Sequence, residues 1–140
     1  MIGVSNNPPD SLKVELVNSK LENLATKFGF TSLLSSKGSI LTTSSMVGEM
    51  GQSLHAAYTA TKGAVNALTK SMALDYAPMG IRINAVSPAG VWTPMLRDWS
   101  ASQPDPTAME AYLDSIHALG YCPNGDVIAD TCVFLLSEKA

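Results

Sequence analysis

Apolar residues near the start of the chain follow a helical spacing, and a short strand pattern comes after them. One helix face is indicated by the positions Val17, Leu21, Leu24 and Phe28. Asp10 or Ser11 can cap the start of this helix, and Gly29 is expected to end it. After a turn predicted at SSKG, residues 35–38, the segment SILTTS at 39–44 is short and β-rich, which predicts a strand.

A longer helix is predicted from residue 56 to residue 76, because two kinds of side chain recur at helical intervals. The apolar stripe consists of Val65, Leu68 and Met72. Beside it runs a stripe of small residues, which would let another helix or a sheet approach closely: Ala60, Ala64, Ala67 and Ser71. The sequence APMG at 77–80 breaks the helix, and the alternating pattern of IRINAVS at 81–87 predicts a second strand.

The last third of the chain has a less regular pattern. PAGVWTP follows the second strand as a loop, and residues 92–123 mix prolines, both tryptophans and charged residues. We interpret this region as a mobile loop with one or two short helices. Asn124 is expected to cap a final helix in which one face is formed by Ile128, Cys132 and Leu135.

Strands that alternate with long helices predict an α/β fold with a partial, Rossmann-like, doubly wound parallel sheet. In such sheets ligands bind beyond the carboxyl ends of the strands. The first strand brings Ser44 and Ser45 to that edge, and the second brings residues 88–93. Tyr58, near the start of the intervening helix, is expected at the same edge.

Composition narrows the function classes. The chain has 140 residues, enough for one domain, with 46% hydrophobic and 15% charged residues. A net charge of −3 without a basic run argues against nucleic acid or an anionic membrane as partner. The apolar runs are far shorter than the ~20 residues of a membrane span, and the first ten residues do not resemble a secretory signal. Cys122 and Cys132 have no metal or disulfide spacing, which favours reduced thiols in a cytoplasmic protein.

Tyr58 and Lys62 in the sequence YTATK are the main candidates for chemistry. Residues four apart on a helix share one face. A free tyrosine has a pKa near ~10, and a neighbouring ammonium favours the phenolate. A tyrosine of that kind can take a proton from an alcohol or return one to a carbonyl. The Ser45 hydroxyl could hydrogen-bond the same substrate oxygen.

With Ser45, Tyr58 and Lys62 in this order, residues 38–94 resemble the catalytic half of the short-chain dehydrogenase/reductase family. The sequences GSILTTSSMVG and YTATKGAVNALTKSMALDYAPMGIRINAVSPAGVWTP follow that family's pattern. A weaker resemblance reaches back to about residue 11 and forward to residue 137. The resemblance implies a hydride transfer between NAD or NADP and a small alcohol or ketone.

The same resemblance implies individual roles. Tyr58 would be the acid/base, Lys62 would lower its pKa and hold the nicotinamide ribose, and Ser45 rather than Ser44 would position the substrate oxygen. Asn18 would be the fourth catalytic residue, the alternative being an exposed polar residue of a helix. The segment that binds the nicotinamide carboxamide would include Pro88, Gly90, Val91 and Thr93. The family usually has glycine directly after the proline, where this chain has Ala89.

A larger departure is that no G-x-x-x-G-x-G sequence occurs. We therefore expect residues 1–140 to be a single, apparently truncated, Rossmann-like domain with a substrate-loop region at 92–123. The alternative to an enzyme is a truncated or split family member that acts only as an oligomeric or partner-bound fragment. An open sheet edge and long helices favour a homo-oligomer, either a dimer or a tetramer. His117, in the substrate-loop region, is expected at the surface.

Overall fold

The computed structural model describes residues 28–140, and these belong to two units, Met1–Ser87 and Pro88–Ala140. Asn18 and the helix start predicted at Asp10 or Ser11 lie outside the described residues. No helix in the described part of the chain is long and apolar enough to cross a membrane.

The first unit contains two strands and three α-helices in its described part. Residues 28–36 are helical (α1), and strand β1 spans Ser39–Thr43. Helix α2, Val47–Met50, is a single turn, whereas α3 spans Ala56–Tyr76. A 3₁₀ turn, Ala77–Met79, leads through Gly80, which has φ of 77°, into strand β2, Arg82–Val86. The predicted long helix, its break and both strands are thus confirmed.

Strands β1 and β2 are parallel, with Ser39 opposite Arg82 and Thr43 opposite Val86. Helix α3 is the crossover between them. The apolar stripe of α3 packs here, since Met72 forms a buried cluster with Ile81 and Ile83. The stripe of small residues lies on the exposed side of the helix.

The prediction that a helix ends at Gly29 is wrong, because α1 continues to residue 36. Phe30 and Leu33 pack against the buried cluster, and this burial outweighs the ~1 kcal/mol that an interior glycine costs a helix. The helix ends at residue 36 instead, and Lys37 after it has φ of 50°. The Gly38 N–H then donates to the Leu33 carbonyl at 3.1 Å, which closes the helix end.

The second unit contains three helices joined by short loops. Helix α4 spans Pro94–Ala101, α5 spans Pro106–Ser115 and α6 spans Gly125–Leu136. The prediction of one or two short helices within 92–123 is confirmed, since two are present. The last helix starts after Asn124 as predicted, but the Asn124 side chain makes no capping hydrogen bond within the described residues. Backbone pairing of Trp92 with Asn124 joins the first loop of this unit to the start of α6.

Candidate active site

The chain leaves β1 through two serines that differ in their contacts. Ser44 is buried, and its N–H donates to the Val86 carbonyl at 2.8 Å, which extends the parallel ladder by one residue. Its hydroxyl donates to the Lys62 carbonyl at 2.9 Å. Ser45 is only half-buried, and its Oγ accepts the Val47 N–H at 3.4 Å. Ser44 thus fastens β1 to α3, while the Ser45 hydroxyl keeps its own proton to donate.

The α2 turn is held against α3 by a close backbone approach. A Cβ at Gly48 would lie 2.8 Å from the Lys62 carbonyl carbon and 2.9 Å from the Gly63 nitrogen. Buried Asn66 donates from Nδ2 to the Glu49 Oε1 at 2.9 Å. The position of the Ser45 segment relative to α3 therefore depends on a glycine at position 48.

Tyr58 and Lys62 lie one turn apart near the start of α3. The Lys62 ammonium is 5.7 Å from the centre of the Tyr58 ring and donates to the Thr43 carbonyl at 3.2 Å. His55 precedes the helix, with its ring centre 6.4 Å from that of Tyr58 in an edge-on arrangement. Lys62 thereby links the tyrosine to the carboxyl end of β1, two residues before Ser45.

This arrangement has the components of a proton-transfer site. The Tyr58 ring is half-buried, and its hydroxyl has no hydrogen-bond partner among residues 28–140. A cation next to a phenol stabilises the phenolate, and a nearby serine hydroxyl can orient a substrate oxygen. No group of histidine, cysteine, aspartate or glutamate side chains suited to a metal ion occurs within the described residues.

The segment 88–93 lies in the second unit. Gly90 carbonyl is 3.0 Å from Nε2 of His117, and the Trp92 N–H donates to the Pro123 carbonyl at 2.8 Å. Thr93 caps α4, because its Oγ1 accepts the Leu96 N–H at 3.2 Å. Val91 is half-buried. The four residues predicted to hold the nicotinamide carboxamide thus belong to a short segment with several hydrogen-bonded anchors.

Sequence reasoning missed two residues of these segments. Gly48 follows the serines closely and could have been found by asking why a glycine stands in a helical turn. His117, which was expected at the surface, is half-buried between Gly90 and the end of α5. Its partner is 27 residues away along the chain, so no local pattern indicates it.

Comparisons with known proteins agree with the fold and the resemblance. A family model described as enoyl-(acyl carrier protein) reductase matches residues 23–140. L-fucose dehydrogenase of Bos taurus is 42% identical over 113 residues, covering 81% of this chain and 42% of that protein. The structure of Cj0485 dehydrogenase matches with a TM-score of 0.86 at 28% identity, covering 97% of this chain and 53% of that chain. NAD⁺-bound xylitol dehydrogenase matches with a TM-score of 0.81 at 26% identity, covering 95% and 56% respectively.

The chain thus spans about half the length of the proteins that it matches, or less. Within that span, the predicted α/β fold with a parallel sheet is confirmed, and the solved neighbours that share it are dehydrogenases. The family model covers most of the chain, and the relative that is 42% identical covers four-fifths of it. This chain is therefore a member of the short-chain dehydrogenase/reductase family.

Proposed function

We propose that this chain carries the proton-transfer residues of an NAD(P)-dependent oxidoreductase that interconverts an alcohol and a carbonyl compound. The observation that carries the proposal is the position of the Lys62 ammonium, between the Tyr58 ring and the Thr43 carbonyl at the end of β1. In that position a single cation lies beside the tyrosine that would exchange the proton, and it joins the helix to the strand that leads to Ser45.

The residues act on a substrate hydroxyl in the direction of oxidation. Tyr58, as phenolate, takes the hydroxyl proton while Ser45 donates a hydrogen bond to the same oxygen. When bound, NAD(P)⁺ supplies a hydride acceptor at nicotinamide C4. In the reverse direction the Tyr58 hydroxyl donates its proton to the carbonyl oxygen, and Lys62 stabilises the phenolate that remains.

The donors present suit a nicotinamide nucleotide. Lys62 carries an ammonium beside the Tyr58 ring, and an ammonium can donate to a ribose hydroxyl. Thr93 uses its oxygen to cap α4, so its hydroxyl proton stays available for a carboxamide oxygen. We propose that Tyr58 and Lys62 contact the ribose and that the carboxamide is held by Pro88, Gly90, Val91 and Thr93. Both NAD and NADP fit this set.

The substrate class that we propose is a small polyhydroxylated alcohol or the corresponding ketone. The support comes from relatives whose names specify such compounds, L-fucose dehydrogenase and xylitol dehydrogenase. A site with a phenol, an ammonium and a serine hydroxyl offers hydrogen bonds to more than one hydroxyl group. Asn18 stays a prediction as the fourth catalytic residue.

We further propose one Rossmann-like domain in a cytoplasmic homo-oligomer, a dimer or tetramer. Free thiols at Cys122 and Cys132 support a reducing compartment. Large apolar side chains are exposed on α3 and α6, among them Leu74 at 78% and Val133 at 68%, and their burial would favour association. Light scattering of the purified protein tests the oligomer, and a monomer at micromolar concentration would contradict it.

An NADH and NADPH titration of the 140-residue chain tests the proposed function. Saturable quenching of protein fluorescence is expected, with a clear loss of affinity in Lys62→Met. Lys70→Met is the matched control, because Lys70 lies on the same helix and, within residues 28–140, pairs with Glu49 at 3.6 Å in an exposed position. If the wild-type chain binds neither nucleotide, the alternative of a fragment without activity of its own replaces the enzyme.

A further inference from the structure

The ring of His117 lies between two backbone carbonyls. Its Nε2 is 3.0 Å from the Gly90 oxygen, and its Nδ1 is 2.7 Å from the Leu113 oxygen at the end of α5. Both distances lie within hydrogen-bonding range, and which nitrogen donates depends on the tautomer. A neutral imidazole has one N–H and can donate to one of these oxygens, whereas a doubly protonated ring donates to both. The contact with Leu113 also fixes the rotation of the ring.

The backbone at Gly90 lies close to the His117 ring. A Cβ at position 90 would lie 3.0 Å from His117 Cε1 and 3.4 Å from the Cys122 sulfur. An alanine at position 90 would displace the ring by a few tenths of an ångström, so the glycine favours the close approach of the imidazole to the Gly90 carbonyl. This gives a physical reason for the order Ala89–Gly90, which departs from the order typical of the family.

A second anchor fixes the other end of the same segment. The Trp92 N–H donates to the Pro123 carbonyl at 2.8 Å, and the Cys122 N–H donates to the Asp114 carboxylate at 2.8 Å. Cys122 is thus hydrogen-bonded to Asp114 of α5, which lies three residues before His117. His117 and Pro123 together hold the segment at two points, Gly90 and Trp92.

We propose that His117 is a positioning residue for the segment that binds the nicotinamide, acting by donation from Nε2–H to the Gly90 carbonyl. The link to cofactor rests on the function proposed above. The contact of His117 with the Gly90 carbonyl lies within the second unit and does not depend on that function. His117 has no direct part in proton transfer. It sets the orientation of the peptide groups at 90–91 before cofactor binds, which lowers the ordering cost of binding.

Two substitutions separate the roles of the two ring nitrogens. In His117→Gln the side-chain amide can reach the position of Nε2 and donate to Gly90, whereas in His117→Asn the shorter amide reaches only the position of Nδ1. We expect the glutamine variant to behave like wild type. The asparagine variant should show about 2- to 10-fold faster hydrogen exchange at the Trp92 amide, the range that one hydrogen bond contributes. Its dissociation constant for NADH should rise by a similar factor.

Three readouts decide the proposal. Long-range ¹H–¹⁵N NMR of the wild-type protein should find a proton on Nε2 of His117, and a proton on Nδ1 alone would overturn the proposal. Equal exchange and equal NADH affinity in His117→Asn and wild type would overturn it too, as would an equal loss in both variants. The NMR and exchange measurements need no cofactor. A wild-type chain that binds no NADH would therefore contradict the proposed function, and these two readouts would still test the His117–Gly90 contact.

Discussion

Substitution of Gly48 by alanine tests whether the close approach of α2 to α3 sets the position of Ser45. The new Cβ would lie 2.8 Å from the Lys62 carbonyl carbon, and both neighbours closer than 3.0 Å are backbone atoms. Contacts between carbon atoms are optimal at about 3.5–4.0 Å, so α2 must move away by roughly 0.7 Å or more. Overpacking of this kind costs about 1–3 kcal/mol of the free energy of unfolding.

The same displacement moves the segment that carries Ser45. A misplacement of about 1 Å at a reacting centre can cost about 100-fold in rate. We therefore expect about a 10-fold lower kcat for Gly48→Ala, in addition to the lower stability. Urea unfolding followed by far-UV circular dichroism measures the stability, and nicotinamide absorbance measures kcat.

Gly63→Ala is the matched control, because it changes the other glycine of the same contact. Among the described residues, its Cβ would meet the Gly48 carbonyl oxygen alone, at 3.3 Å, and a shift of a few tenths of an ångström relieves that contact. Alanine also favours the interior of α3 by up to about 1 kcal/mol. This variant should be as stable as wild type or more stable, with unchanged kcat. Equal effects of the two substitutions would refute the reasoning.

Three further predictions concern buried side chains. The Thr42 and Thr69 hydroxyls lie 2.8 Å apart in the interior. Either single change to valine should lower the free energy of unfolding by about 1–3 kcal/mol, and the double variant should lose less than the sum of the two. Additive losses would contradict this. Met72→Ala should lower the free energy of unfolding by about 2–5 kcal/mol, because the Met72 side chain is only 9% exposed. Met79→Ala should change it by almost nothing, because Met79 is 43% exposed. Equal losses in the two variants would contradict the position of the buried cluster. Burial, and secondarily the Asp114 carboxylate, raises the pKa of the Cys122 thiol. The thiolate of Cys122 therefore forms only at a higher pH than in an ordinary thiol, and a disulfide reagent near pH 8 should modify half-buried Cys132 first. Faster modification of Cys122 would show that this prediction is wrong.

Local pattern was sufficient for the elements next to the candidate site. The recurrence of Val65, Leu68 and Met72 predicted α3, and the alternation around Ile83 predicted β2, because burial on one face leaves a periodic trace in the sequence. Gly29 was misjudged because the packing of Phe30 and Leu33, which keeps α1 helical, involves residues some 40 to 50 positions further along the chain.

Contacts between groups far apart in the sequence could not be predicted from a local pattern. The spacing of Tyr58 and Lys62 was visible in the sequence, but the contact of Lys62 with the Thr43 carbonyl was not. The fit of Gly48 against Gly63 and that of Gly90 against His117 each join positions 15 or more residues apart. A glycine shows only that some close approach is permitted, and the partner becomes known when the fold is known.

The most direct test of the central claim is turnover by Tyr58→Phe. The purified chain is assayed with NAD⁺ or NADP⁺ and a panel of small sugars and polyols, by the absorbance of the reduced nicotinamide. Removal of the phenol hydroxyl should lower kcat by about 100-fold or more, the range of general acid–base catalysis, with NADH binding largely retained. The control Tyr112→Phe, on the exposed side of α5, should be fully active. Turnover by Tyr58→Phe equal to that of wild type would contradict the assignment of Tyr58 as the proton-transfer residue.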